Sequence, residues 1–172
     1  PKGLDHILFV IGIFFYSLKL KSLIGQVTMF TIAHSLTLIL ASLNIIYIPA
    51  FIIEPLIALS ISYIAFENIL QKKLSLNSSL ARYIIIFIFG LIHGLGFAFV
   101  LGDIGLNASQ FILSLVSFNL GVEIAQIGII IILFVFMAVP SRQPWYSNYI
   151  QYPISAIIGL IGLYWFIERV FF

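Results

Sequence analysis

The stretch FILSLVSFNLGVEIAQIGIIIILFVFMAV, residues 111–139, decides the fold class, because it is almost wholly apolar and contains one charged residue, Glu123. A helix needs roughly 20 apolar residues to cross a hydrocarbon core of about 30 Å. This stretch is longer than that, and nothing in it favours a turn until Pro140. It therefore predicts a transmembrane helix.

Further apolar stretches, separated by short polar breaks, extend this pattern over the whole chain. Alternating strands of about ten residues, which a transmembrane barrel requires, do not occur. We therefore expect an all-α, polytopic integral membrane protein that forms one bundle and one domain, residues 1–172. Its six helices are predicted at about residues 5–20, 27–47, 51–70, 83–101, 111–139 and 149–171.

The composition excludes a water-soluble domain. Of 172 residues, 62% are hydrophobic and 8% are charged, and the mean hydropathy is +1.20. Soluble domains carry about 25% charged residues. The eight basic residues are scattered and do not predict nucleic-acid binding. There is no cysteine, so a metal would have to be held by imidazole, carboxylate, amide or water.

The basic residues predict the orientation in the bilayer, because cytoplasmic loops carry an excess of Lys and Arg. The protein is expected in the inner membrane or plasma membrane of the cell. The loops after the first, third and fifth helices would lie in the cytoplasm, and both termini would lie outside. The predicted inner side holds Lys19, Lys21, Lys72, Lys73, Arg82 and Arg142, and the outer side holds Lys2 and Arg169.

All three histidines lie within predicted helices, and so do several carboxylates. An ionisable side chain at mid-bilayer costs about 2.5–3.5 kcal/mol on insertion scales, so it needs a partner, water or a function. Glu123 belongs to a polar stripe with Asn119 and Gln126 at spacings of four and three residues, which places them on one helix face. In the fourth helix His93 borders a face of small residues formed by Gly90 and Gly94.

Imidazole and carboxylate without thiolate suit nickel, cobalt or zinc. The predicted metal ligands are His6, His34, His93, Glu123 and Asp5. The predicted supporting residues are Ser35, Asn119, Gln126 and Glu67. Two functions fit these residues equally. One is a transition-metal permease, and the other is an intramembrane zinc-type hydrolase in which Glu123 or Glu67 is the base. A heme-binding or purely structural membrane subunit is the third alternative.

Several segments resemble the HupE/UreJ family of hydrogenase and urease accessory membrane proteins, in a divergent branch. The matching segments are Gly3-Leu4-Asp5-His6, residues 30–38, residues 54–67, residues 89–98 and Phe118-Asn119-Leu120-Gly121-Val122-Glu123. The resemblance implies a metal-handling role, with nickel or cobalt permease as the usual assignment. Besides the bilayer and the metal ion, the partners to test are a second copy of the chain and a metalloenzyme-maturation protein.

Overall fold

The structure is a computed structural model that describes residues 3–74, 79–104 and 111–172. Throughout these ranges the regular structure is helical, which confirms the predicted all-α class. A 3₁₀ turn, Pro140–Arg142, and a π-helical turn, Ser147–Gln151, connect the last two helices. The helices are α1 (Leu4–Tyr16), α2 (Leu20–Ser42), α3 (Ala50–Leu74), α4 (Ser79–Ile104), α5 (Phe111–Met137) and α6 (Tyr152–Phe171).

Among the described residues, five helical segments are long and apolar enough to cross a membrane. They are residues 20–42, 50–70, 80–98, 113–137 and 147–171. The sixth apolar helix, α1, has only 13 residues, so its described length is about 20 Å against a core of about 30 Å. The chain is thus a multi-pass membrane protein in which α1 is shorter than the predicted helix at residues 5–20.

Helix α2 also differs from its prediction at residues 27–47. The expected break around Lys21 and Gly25 lies inside the helix, which begins at Leu20. Gly25 faces α4, since a Cβ at this position would lie 2.7 Å from the hydroxyl oxygen of Tyr83. The helix ends at Ser42, before Asn44 turns the chain with a φ of 56°. Lys21 and Gly25 are typical of a loop in the sequence, but in the folded protein they belong to α2.

Helix α1 is largely enclosed by the other helices. Its side chains Phe9, Val10, Ile13 and Phe14 are completely buried, and it contacts α2, α3, α5 and α6. Burial all around a helix is expected for one at the centre of a bundle. The start of α1 is only partly enclosed, because Asp5 is buried whereas Leu4 and Ile7 are exposed.

Contacts between the helices give the bundle two opposite ends. At the first, Arg169 of α6 bonds both the Asp5 carboxylate and the backbone oxygen of Glu54, and we call this the Asp5 end. At the other, Glu67 of α3 pairs with Arg82 of α4, and we call this the Arg82 end. The histidines lie toward the Asp5 end, because His6 follows Asp5 directly on α1.

Helices α2 and α4 run parallel and pack closely through glycine. A Cβ on Gly90 would lie 2.5 Å from the backbone oxygen of Phe30, and a Cβ on Gly94 would overlap the backbone oxygen of His34 and the hydroxyl of Thr37. Thr37 also donates to the backbone oxygen of Leu91 at 2.7 Å. This small-residue contact brings His34 of α2 and His93 of α4 to the same level of the bundle.

Candidate metal centre

Three helices bring the three histidines together. The His6 ring, from α1, lies with its centroid 5.3 Å from the centroid of His34 and 5.3 Å from that of His93. His34 and His93 are each 1% exposed, whereas His6 is half-buried. The sequence predicted that these residues act together, and the structure places them in one cluster.

Asn119 of α5 determines the tautomer of His34. Its amide nitrogen donates to the backbone oxygen of Leu115 at 2.9 Å, so its oxygen faces His34. That oxygen lies 3.1 Å from Nδ1 of His34 and can only accept a hydrogen bond. Nδ1 of His34 therefore carries the proton, and Nε2 keeps its lone pair. Asn119 thus has the supporting position that the sequence suggested for it.

His93 is oriented in the same way by its own helix. Its Nδ1 lies 2.8 Å from the backbone oxygen of Phe89, one turn earlier, and a carbonyl oxygen only accepts. Nδ1 of His93 must therefore donate, and the lone pair is again on Nε2. A hydrogen bond at the second nitrogen is the usual device that orients a metal-binding imidazole.

Within the described part of the chain, the Nε2 atoms of His34 and His93 are both buried and have no hydrogen-bond partner. An unsatisfied buried polar atom is unfavourable by about 1–3 kcal/mol, so these two atoms fit a ligand that accepts a lone pair. Among the described residues, no three His, Asp or Glu side chains are arranged so that together they could hold a metal ion. A metal here would be held by His34 and His93, with His6 as the adjacent imidazole.

Aromatic side chains enclose the cluster. Phe30 stacks on His34 with centroids 6.0 Å apart and meets His93 edge-on at 5.1 Å, and Phe9 lies 5.1 Å from His93. Such walls exclude water and lower the local dielectric constant, which strengthens any interaction with an ion. A cavity of about 380 Å³ reaches the cluster from the side, and His6, Phe97 and Gln126 are among its lining residues.

Glu123 is not brought to the histidines. Its carboxylate accepts a hydrogen bond from the Thr28 hydroxyl at 2.8 Å. Thr28 precedes His34 by six residues, which is about 9 Å along α2. Gln126, the next member of the polar stripe, accepts from Thr31 at 3.2 Å. The stripe of α5 therefore bonds α2 at several levels, and only its Asn119 contacts the histidine cluster.

Asp5 and Ser35 have partners outside the histidine cluster. Asp5 is bound through both carboxylate oxygens by Arg169, at 3.0 and 3.2 Å. Ser35 donates to the backbone oxygen of Thr31 at 2.7 Å, within its own helix. In their described contacts Asp5 pairs with Arg169 and Ser35 bonds its own helix, so their suggested roles as ligand and support stay predictions.

Glu67 belongs to a different cluster at the Arg82 end. It forms a buried ion pair with Arg82, whose Nε also donates to Gln26 at 3.1 Å and whose guanidinium lies 3.5 Å from the centroid of the Tyr16 ring. The sequence analysis used Arg82 and Arg169 only as signals of orientation and missed both ion pairs. The available signal was the presence of Asp5 and Glu67 in predicted helices, since each required a basic partner.

A family model described as HupE / UreJ protein matches residues 1–169 of the chain. Comparisons with curated proteins and with solved structures gave no match. The match includes every segment on which the resemblance rested and nearly all of the last helix. The chain therefore belongs to the HupE/UreJ family.

Proposed function

We propose that the protein is a membrane permease for a divalent transition metal, with nickel or cobalt as its substrate. The observation that carries this proposal is the pair of buried Nε2 lone pairs on His34 and His93, each fixed by a hydrogen bond at Nδ1. A neutral, oriented imidazole needs no proton release before it binds a metal. Membership of the HupE/UreJ family supports the same class of substrate.

The small ligand set supports transport over permanent retention. Transport requires binding that is strong enough to capture the ion and weak enough to release it. Two or three imidazoles without a thiolate provide affinity for nickel and cobalt, and the carboxylates Asp5 and Glu67 are already neutralised by arginine. A resident metal would instead be expected to have a closed set of four ligands.

Metal uptake into liposomes that contain the purified protein tests this proposal. We expect Ni²⁺ or Co²⁺ uptake by the parent protein and its loss in the His34→Ala and His93→Ala variants. Leu36→Ala is the matched control, because Leu36 is exposed on the same helix as His34. If folded, inserted histidine variants carry metal at the parental rate, the proposal is wrong.

The same preparation distinguishes a permease from a hydrolase with a fixed metal. A permease purified without chelator exchanges added Ni²⁺ readily and produces net flux. Stoichiometric zinc that does not exchange, together with no flux of any divalent ion, would contradict the permease.

A further inference from the structure

Glu123 is a carboxylate within a membrane-spanning helix that no basic side chain neutralises among the described residues. Two other carboxylates in the helices, Asp5 and Glu67, each pair with an arginine. The described hydrogen bond of Glu123 comes instead from the uncharged hydroxyl of Thr28. A charged carboxylate in a medium of low dielectric constant requires a nearby cation. Since no arginine or lysine provides it among the described residues, Glu123 fits a mobile cation.

The surroundings of Glu123 provide further oxygen atoms and open space. A groove of about 750 Å³ runs between α2 and α5, and its polar lining residues are Thr31, Ser35, Asn119 and Glu123. The rest of its lining is apolar, and it extends from Glu123 to Leu43, which follows α2 at the Asp5 end of the bundle. Asn119 contacts both this groove and His34, so the groove is directly adjacent to the histidine cluster.

In the part of the bundle that the structure describes, the centre offers a cation no comparable route beyond the histidines. Phe9 and Phe30 lie against the histidine rings and are completely buried. At the Arg82 end, the buried guanidinium of Arg82 would repel a divalent ion. Among the described residues, the seam between α2 and α5 is where polar side chains continue from His34 toward mid-bilayer, through Gln126 and Glu123.

We propose that Glu123, with the hydroxyl of Thr28 and the polar side chains of the α2–α5 groove, forms a second cation site that is separate from the histidine site. This site receives the divalent ion after His34, one step farther from the Asp5 end, so the inference rests on the proposed permease function. Its donors are all oxygen, whereas the first site is imidazole. Oxygen donors hold nickel and cobalt less tightly than imidazole does, which favours onward movement.

The variant Glu123→Gln tests whether the protein has one cation site or two, because it removes the charge and preserves the size of the side chain. We expect the Kd of the purified protein for Ni²⁺ or Co²⁺ to stay within about twofold of the parental value, because the imidazole ligands are intact, while uptake into liposomes falls roughly tenfold or more. Glu168→Gln is the matched control, since Glu168 is exposed near the end of α6, and it should leave both quantities unchanged. Glu123→Asp, which keeps the carboxylate, should retain part of the uptake and guards against a folding defect.

Two results would overturn the second site. If Glu123→Gln weakens binding as strongly as His34→Ala does, the carboxylate belongs to the histidine site. If Glu123→Gln carries metal as fast as the parent, the carboxylate is not on the route. A parent protein that neither binds nor carries Ni²⁺ or Co²⁺ would refute the permease itself and remove this inference with it.

Discussion

At the scale of single residues, the amide of Asn119 selects which nitrogen of His34 faces the cluster. We expect Asn119→Leu to lower the affinity for Ni²⁺ by about 10–100-fold, the usual effect of removing a partner that orients a ligand. Binding isotherms of the purified protein measure this. Asn119→Asp keeps the accepting oxygen and should retain most of the affinity.

A purely structural role for Asn119 would give a different pattern. Asn119→Leu would then alter the unfolding temperature and leave the Kd of the folded protein unchanged. That result would contradict the assignment of the His34 lone pair to Nε2.

At this scale the sequence predicted that the three histidines act together, but it did not predict which side chains contact them. The three histidines were recognised because a histidine in a membrane helix is rare and requires an explanation. The predicted supporting residues Ser35, Asn119, Gln126 and Glu67 could not be ranked, since hydropathy gives the depth of a residue but not the direction of its side chain. The choice of Asn119 follows from how α5 packs on α2, which is a tertiary property.

At the scale of helices, Gly94 controls the approach of α4 to α2. A Cβ there would meet the backbone oxygen of His34, which cannot move independently of its helix. We expect Gly94→Ala to destabilise the protein by about 1–3 kcal/mol, as overpacking usually does. Thermal unfolding in detergent measures this.

Gly121→Ala is the matched control for Gly94→Ala, because a Cβ on Gly121 of α5 meets nothing within 4 Å. It should leave the unfolding temperature unchanged or raise it slightly, since alanine favours helix over glycine. Equal effects at both positions would mean that the close contact at Gly94 does not limit the stability of the bundle.

The helix boundaries show what the sequence left undetermined at this scale. Five of the helices were predicted within several residues at most ends, because long apolar runs are a strong signal. The start of α2 was placed at residue 27 instead of Leu20, because Lys21 and Gly25 are typical of loops. Gly25 lies inside the helix and faces Tyr83 of α4, a tertiary contact that hydropathy does not reveal.

At the scale of the whole molecule, the ion pair of Arg82 and Glu67 connects α4 to α3 inside the bundle. Both side chains are almost fully buried. Arg82→Leu would leave the Glu67 carboxylate buried and unpaired, so we expect a loss of about 3–5 kcal/mol in the free energy of unfolding. Denaturant unfolding in detergent measures it, with the exposed Arg142→Leu as control.

The double variant Arg82→Leu, Glu67→Gln should recover much of this loss, because it removes the unpaired charge. If the single variant unfolds at the parental denaturant concentration, or if the double variant is no better than the single one, the ion pair does not contribute as proposed.

The orientation of the whole bundle follows from its basic residues. Lys19, Arg82 and Arg142 all lie toward the Arg82 end, which is therefore expected in the cytoplasm. Because the chain has no cysteine, single cysteines at the exposed positions Ile45 and Gln143 can be labelled without background. A membrane-impermeant maleimide should modify Ile45→Cys in intact cells and Gln143→Cys only after permeabilisation. The reverse pattern would contradict this orientation.

The close contact of Gly94 with the backbone of His34 also bears on which ions the protein prefers. His34 and His93 stand on two parallel helices whose separation is set by this glycine, so the distance between their rings cannot adapt freely to the ionic radius of a guest. Flexible imidazole sites rank divalent metals by the Irving–Williams order, with copper above nickel and cobalt. A fixed spacing between the two rings allows a different order of affinities. Gly94 would then determine which ion is preferred, although it binds none of them.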